Sequence, residues 1–337
     1  MKKVLKVFAF IFTVIFAIYA ILALCPRINN FKGANPMASN EELPILIAHG
    51  GGNREFPDNT LEAFYNAYSV DNRVMMETDV SITKDGVVIL SHDTTLDRKT
   101  NVTGNIADWN YTDLIAQKVD FGYTNHTDEN EKLSGEREHF KTDDGKEKYP
   151  TDVTYPETVS PRDPKVFLAT TLEELLVAFP ENRINVEIKQ EGELGFKALA
   201  EVLHLLEKHN AFDRVVLASF HEEMFKEFQR LQKAGEVPKN FMCSPSTDPV
   251  EKYVKLHFVG LDTLFFDKMC VFQLPMEQDG VKLATKRLVR SAHRHNLAIH
   301  YWTVNETEDM EYLIEIGADG IMTDYPHRLK EVLNKAK

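Results

Sequence analysis

The sequence predicts an α/β fold in which short strands alternate with helices around a parallel sheet, behind one apolar N-terminal helix. Three observations carry this. From Leu43 onward, apolar β-rich runs alternate with helical patterns, the signature of repeated βα units. The 337 residues are 43% hydrophobic and 27% charged, the balance of a folded protein with a sizeable core. About 310 residues follow the N-terminal apolar run, a length that suits one large α/β barrel or two smaller domains.

At the N-terminus, "MKKVLK" leads into Val7 to Cys25, 19 residues without a charge. As a helix this run spans roughly 28 Å, close to the hydrocarbon thickness of a bilayer. A cleaved signal peptide competes, but its apolar region is usually about 7 to 15 residues long and ends in a small-x-small site. "LALC" resembles a lipoprotein cleavage site, with Leu24 where a small residue belongs. Residues 1–25 are therefore expected to form a membrane anchor, or else a signal segment, and residues 26–43 a linker. Lys2, Lys3 and Lys6 outweigh the diluted Arg27 and Lys32, so the positive-inside rule leaves the N-terminus in the cytoplasm and the body outside it, on the periplasmic or extracellular face. The formal charge of -13, with no basic tract, argues against a nucleic-acid partner. Cys243 and Cys270 fall in the body; a disulfide and two isolated buried thiols both stay open, the second being the commoner arrangement. Sequons at Asn101, Asn110, Asn125 and Asn305 matter only in a eukaryotic secretory pathway.

Nine strands are expected, in "ILIAHG", "VMMETDV", "VVILSHD", "RINVEIK", "VVLASF", "FMCSP", "VGLDTLFF" (residues 259–266), "LAIHYWTV" and "ADGIMTD". Only "TKDG" joins the second and third, too short for a parallel crossover, so one of those two must depart from the βα pattern. Helices are expected from Asn59 or Thr60 with a capping box, from Thr170 or Thr171, and over "ATKRLVRSAHRHN". The polar stretch from Val119 to Lys165 breaks the alternation; it is read as an insertion outside the core, covering the mouth of a barrel or disordered.

Alternate side chains of a strand share a face, so Glu77 and Asp79 project together, as do Glu187 and Lys189. Adjacent acids repel, and burying them is costly unless a cation or hydrogen bonds compensate. A hard divalent ion held by Glu77, Asp79 and Glu187 solves this; salt bridges to Lys or Arg are the alternative. His49 and His92 end the first strand and the hairpin partner, where two imidazoles beside three carboxylates suit acid/base chemistry near neutral pH.

Taken in order, "AHGGGNREFPDNTLEAF", "ETDVSITKDGVVILSHDTTLDRKT", "PKVFLATTLEELL", "NVEIK", "ASF", "YWTVN" and "GADGIMTDYP" resemble the glycerophosphodiester phosphodiesterase family, from Leu43 to Pro326. The resemblance implies a TIM (β/α)8-type barrel of the phospholipase-C-like phosphodiesterase kind over residues 44–330, with an insertion at about 119–165. It also implies a divalent metal, Ca²⁺ or Mg²⁺, and hydrolysis of glycerophosphodiesters to sn-glycerol 3-phosphate and an alcohol. Carried over residue by residue, His49 and His92 look like the acid/base pair, and Glu77, Asp79 and Glu187 like the metal ligands. Lys189 would contact phosphate, Trp302 and Phe220 would form apolar walls, and Asn59 would order the first loop. The family usually has His-Arg-Gly where this chain has His49-Gly50-Gly51. Arg54, in the same glycine-rich loop, is the expected replacement for the missing guanidinium. Two other outcomes stay open: a lysophospholipase D acting on lysophospholipids, and a catalytically weak barrel that binds phosphodiesters because Gly50 replaces the arginine.

Overall fold

In the computed structural model, which describes residues 2–39, 41–123 and 137–337, eight parallel strands close almost completely into a barrel ringed by helices. The elements run α1 (Lys2–Leu24), β1 (Ile45–Ala48), α2 (Leu61–Val70), β2 (Met75–Ile82), β3 (Val88–Leu90), α3 (Tyr111–Ala116), α4 (Leu172–Ala178), β4 (Ile184–Ile188), α5 (Gly192–Lys208) and β5 (Val215–Ala218). They continue through α6 (Glu222–Ala234), β6 (Met242–Cys243), α7 (Thr247–Phe258), β7 (Val271–Leu274), a small hairpin of β8 (Glu277–Gln278) and β9 (Val281–Lys282), α8 (Lys286–His293), β10 (Ala298–Tyr301), α9 (Thr307–Ile316), β11 (Gly320–Thr323) and α10 (Pro326–Lys335). The barrel order is β6-β5-β4-β2-β1-β11-β10-β7. At the seam between β6 and β7, the Cys270 amide donates to the Cys243 carbonyl at 3.1 Å. Both thiols are free and buried, Cys243 among residues of the outer core and Cys270 among those of the barrel interior.

Most barrel strands are buried on both faces, because helices cover the outside and side chains fill the inside. β3 is the strand that departs from the pattern: it pairs antiparallel with β2, Val80 opposite Leu90. One expected strand is not formed. Residues 259–266 follow α7, pass Gly260 at φ +73° and make a single 3₁₀ turn over Asp262–Leu264, and the barrel strand is β7, a little further on. Buried Asp262 explains the difference: it is tied to Arg27, Ser291 and Arg294, so this segment turns back onto the helix layer instead of joining the sheet. Thr60 rather than Asn59 caps α2, accepting from the Ala63 amide, while Thr171 and Glu174 form the capping box of α4.

Residues 26–39, read as part of a linker, plug the end of the barrel where the strands begin. Phe31 and Met37 pack with Ile45, Met75, Met242 and Ala298 inside the barrel. The Asn35 side chain donates to the Cys270 carbonyl at 2.6 Å, and His300 Nε2 lies 2.8 Å from the Met37 carbonyl. α1 therefore joins the body at the N-terminal ends of the strands. Its apolar length lies outside the core, and near its end the Tyr19 hydroxyl donates to the Val259 carbonyl at 2.8 Å.

Part of the expected insertion, residues 124–136, lies outside the described residues. The rest is not excluded from the core as its polarity suggested: Val119, Phe121 and Val153 join the main hydrophobic cluster, and Phe140 is fully buried. Asp143 of this segment pairs with Arg54, and the Tyr325 hydroxyl donates to Asp143, which ties the segment to the C-terminal rim.

Candidate active site

Parallel register sets up the acid cluster. Asp79 of β2 lies beside Glu187 of β4, on the face that also carries Glu77. Glu77, Asp79 and Glu187 each offer an oxygen, all within 4.8 Å of one another. The sequence-derived trio thus converges. Burial, followed by the charge of Asp79, pushes the Glu77 carboxyl up to about 8. Burial likewise raises Glu187, whereas Asp79 is lowered: against its burial stand Lys189, His92, His49 and a hydrogen bond from Asn59. Three hard oxygen donors short of positive charge are the chemistry that suits Ca²⁺ or Mg²⁺.

Lys189 supplies part of that charge. Its ammonium lies 2.9 Å from Glu187 and 3.5 Å from Asp79, and these two acids outweigh burial and raise it. It also lies 3.3 Å from His92 Nε2 and 5.8 Å from the Phe220 ring centre, so it links acids, imidazole and apolar wall. The other His92 nitrogen, Nδ1, lies 3.0 Å from Asp93, which Arg98 grips with two bonds of 2.7 Å.

His49 sits in the turn after β1 with Nδ1 2.6 Å from Asp324. Burial opposes its charge, but Asp324, Glu77 and Asp79 overcome it and bring the imidazole to about 9. Asn305 orients Asp324, donating to its carboxylate at 2.8 Å and accepting from its amide. The sequon asparagine at 305 is therefore engaged inside the site's support.

Asn59 takes up φ +59° and grips Asp79 twice: its amide nitrogen donates to the carboxylate, and its oxygen accepts from the Asp79 amide, both at 3.0 Å. It orders a ligand candidate as well as the loop. The Gly50 amide donates to Glu77 at 2.8 Å from a left-handed φ of +54°. A Cβ there would lie 2.7 Å from the Asp58 Cβ, so this loop does not simply lack an arginine; its backbone leaves no room for one. Arg54 remains at the rim near Asp324, but its guanidinium pairs with Asp143 of the insertion at 3.5 Å. Phe220 and Trp302 meet edge to face, ring centres 5.8 Å apart, with Phe220 54% exposed.

Sequence reasoning missed two charged groups. Asp324 follows the last strand, and the β1–β11 register, Ala48 beside Thr323, brings it to His49; barrel closure was the signal that could have found it. Lys99, 4% exposed, pairs with Asp58 beneath Gly50, and burial lowers its ammonium to about 7. Its loop carries no periodic pattern that would mark it.

The chain was compared with known proteins. It matches the model of the glycerophosphoryl diester phosphodiesterase family over residues 49–328. It is 26% identical over 292 residues to a glycerophosphodiester phosphodiesterase of Caldanaerobacter subterraneus subsp. tengcongensis, covering 86% of this chain and 98% of that one. It is 26% identical over 317 residues to the lysophospholipase D GDPD1 of Rattus norvegicus, covering 86% of this chain and 85% of that one. Among solved structures, an Oleispira antarctica phosphodiesterase in complex with sn-glycerol-3-phosphate shares the fold with a TM-score of 0.60 at 17% identity, over 87% of this chain and 97% of that one. With the family model spanning most of its length and the same barrel in a solved neighbour, the chain belongs to the glycerophosphoryl diester phosphodiesterase family.

Proposed function

We propose that the protein hydrolyses glycerophosphodiesters to sn-glycerol 3-phosphate and an alcohol at the C-terminal mouth of the barrel. The observation that carries this reading is the convergence of Glu77, Asp79 and Glu187 within 4.8 Å of one another, in a mouth that also holds His49 and His92. Those three carboxylates would hold Ca²⁺ or Mg²⁺. When bound, such an ion supplies Lewis-acid neutralisation of a phosphoryl oxygen.

The remaining chemistry belongs to side chains. Lys189 offsets charge on the phosphate; Arg54 at the rim, and with it Lys99, whose ammonium pairs with Asp58 next to Gly50, take over from the guanidinium absent from position 50 in this reading. One imidazole takes a proton from water or from the glycerol 2-hydroxyl, and the other gives one to the departing alkoxide, which is a poor leaving group without it. Asp324 and Asp93 orient the two rings. Phe220 and Trp302 wall the glycerol or the leaving alcohol.

The test is turnover of glycerophosphocholine, reading released glycerol 3-phosphate, with and without chelator and in His92→Ala. Both chelation and the substitution are expected to lower turnover by about 10²-fold or more. Chelator-insensitive turnover defeats the metal reading, and full activity in His92→Ala defeats the two-histidine reading. A second reading, lysophospholipase D activity, is favoured by the GDPD1 relative; release of choline from lysophosphatidylcholine in place of turnover of glycerophosphocholine supports it. Binding without turnover of either substrate supports a silent barrel.

α1 is read as an uncleaved anchor with its N-terminus in the cytoplasm, which places the barrel outside. Its length and apolar character support the span, and Lys2, Lys3 and Lys6 support the orientation.

A further inference from the structure

We propose that a cationic groove on the barrel flank beside α1 binds anionic phospholipid headgroups of the bilayer that α1 crosses. This rests on the reading of α1 as an uncleaved anchor. The groove, about 530 Å³, is lined by Lys286, Arg287 and Arg290 of α8, by Arg294 at its C-terminal cap and by Arg27 of the plug, together with Gly260. Five cations face a single carboxylate there, Asp262, in a chain whose formal charge is -13. Asp262 is already committed to Arg27 and Arg294. Among the described residues, no ion pair joins Lys286, Arg287 or Arg290 to a carboxylate, and all three are exposed. An unneutralised concentration of charge on an acidic protein calls for an anion.

Position identifies the anion. Gly260, which lines the groove, is also where α1 docks: the Tyr19 hydroxyl would lie 3.1 Å from a Cβ placed on Gly260 and donates to the Val259 carbonyl. Tyr19 lies near the end of the apolar span Lys3–Leu22, at the depth where tyrosines favour the bilayer interface. At the same level Phe258, Val259 and Phe266 are 55%, 52% and 56% exposed, an apolar rim beside the cations. Apolar side chains entering the interface next to arginines that reach phosphate is the arrangement by which proteins rest on anionic membranes. Attachment on this side also turns the catalytic mouth, at the opposite ends of the strands, away from the bilayer.

The full chain in nanodiscs of phosphatidylcholine alone, or with about one third phosphatidylglycerol, provides the test, read by hydrogen exchange. Amides of residues 257–266 and 286–294 are expected to exchange at least about fivefold more slowly in the phosphatidylglycerol discs. The difference is expected to vanish in Arg287→Glu/Arg290→Glu, which keeps its turnover of glycerophosphocholine and so shows that the barrel is intact. Equal exchange in the two lipids, with the intact mass showing α1 retained, overturns the groove and leaves the anchor standing. A mature chain lacking α1 overturns the anchor and this proposal with it. Loss of glycerophosphocholine turnover by both the wild type and the variant signals failure of the catalytic reading instead.

Discussion

Cation binding by the full chain should weaken as pH falls below about 8, and Glu77→Gln should remove most of that dependence. Burial first, and the Asp79 charge second, hold the Glu77 carboxyl at about 8, far above the ~4.3 of a free glutamate. The sign follows directly: the proton is held below that value, and an ion competes with it for the carboxylate. At pH 7 roughly one molecule in ten carries Glu77 ionised, and at pH 6 roughly one in a hundred. The association constant should therefore fall about tenfold per pH unit below about 8, or ~1.4 kcal/mol each, and binding at pH 7 should release about one proton per ion from Glu77, with raised Glu187 adding to it in the same direction. His49, held at about 9 against its burial by Asp324 first and by Glu77 and Asp79 after it, loses the support of the last two once an ion offsets them, which acts in the same direction. Calorimetric titration of Mg²⁺ or Ca²⁺ into chelator-stripped protein, in buffers of different ionisation enthalpy, counts those protons. Glu77→Gln should bind more weakly and with a flatter pH profile. Wild-type affinity that is unchanged from pH 6 to pH 8.5, with no proton release, would refute the crowded-carboxylate argument.

Four further outcomes are expected. Asp324→Asn removes the acid 2.6 Å from His49 and should lower turnover by about 10²-fold, with the kinetic pKa of the histidine shifted down; an unchanged pH–rate profile counts against the pairing. Gly50→Arg should not raise activity but should destabilise the fold by about 1–3 kcal/mol, seen as a lower melting temperature, because its Cβ meets Asp58 at a left-handed φ. Lys99→Met should lower kcat/KM for glycerophosphocholine by about tenfold or more and also lower the melting temperature, because it leaves buried Asp58 without its cation; unchanged kcat/KM at a lowered melting temperature counts against a role on the phosphate. At Asp262, burial works against the charge, but Arg27, Ser291 and Arg294 hold the carboxyl well below the usual range. The stability it contributes is present above about pH 4 and lost as pH falls through the lower folded value, so the wild-type melting temperature should drop more steeply than that of Asp262→Asn on acidification.

What was legible in the sequence follows from how local each signal is. Glu77 and Asp79 share a face by the two-residue period of a strand, and Glu187 needed only the parallel pairing of β2 with β4, so the trio could be read before any coordinates. Asp324 could not, because its meeting with His49 depends on the last strand closing on the first. Residues 259–266 looked like a strand because a short apolar run has no period to separate a strand from a helix end, and the deciding feature was a buried carboxylate held by distant arginines. The polarity of residues 26–39 concealed a plug: two apolar side chains, Phe31 and Met37, suffice when asparagine amides satisfy the backbone around them.

The plug bears on the choice of substrate. It fastens α1 to the ends of the strands that lie opposite the proposed catalytic mouth, and the strands run from the Phe31 and Met37 packing at one end to His49, Lys189 and Asp324 at the other. Charge divides the same way, with crowded carboxylates at the mouth and the α8 arginines near the α1 junction, so a net charge of -13 describes neither face. On the proposed reading of α1 as an uncleaved anchor, a lysophospholipid held in the bilayer by its acyl chain would have to leave it and travel the height of the barrel to reach Lys189. A glycerophosphodiester, which has no acyl chain, reaches the mouth by diffusion. With α1 as the proposed anchor, the path of the chain favours the water-soluble substrate for physical reasons independent of the site's chemistry, and turnover of lysophosphatidylcholine in bilayers faster than that of glycerophosphocholine would show that α1 does not hold the barrel in this orientation.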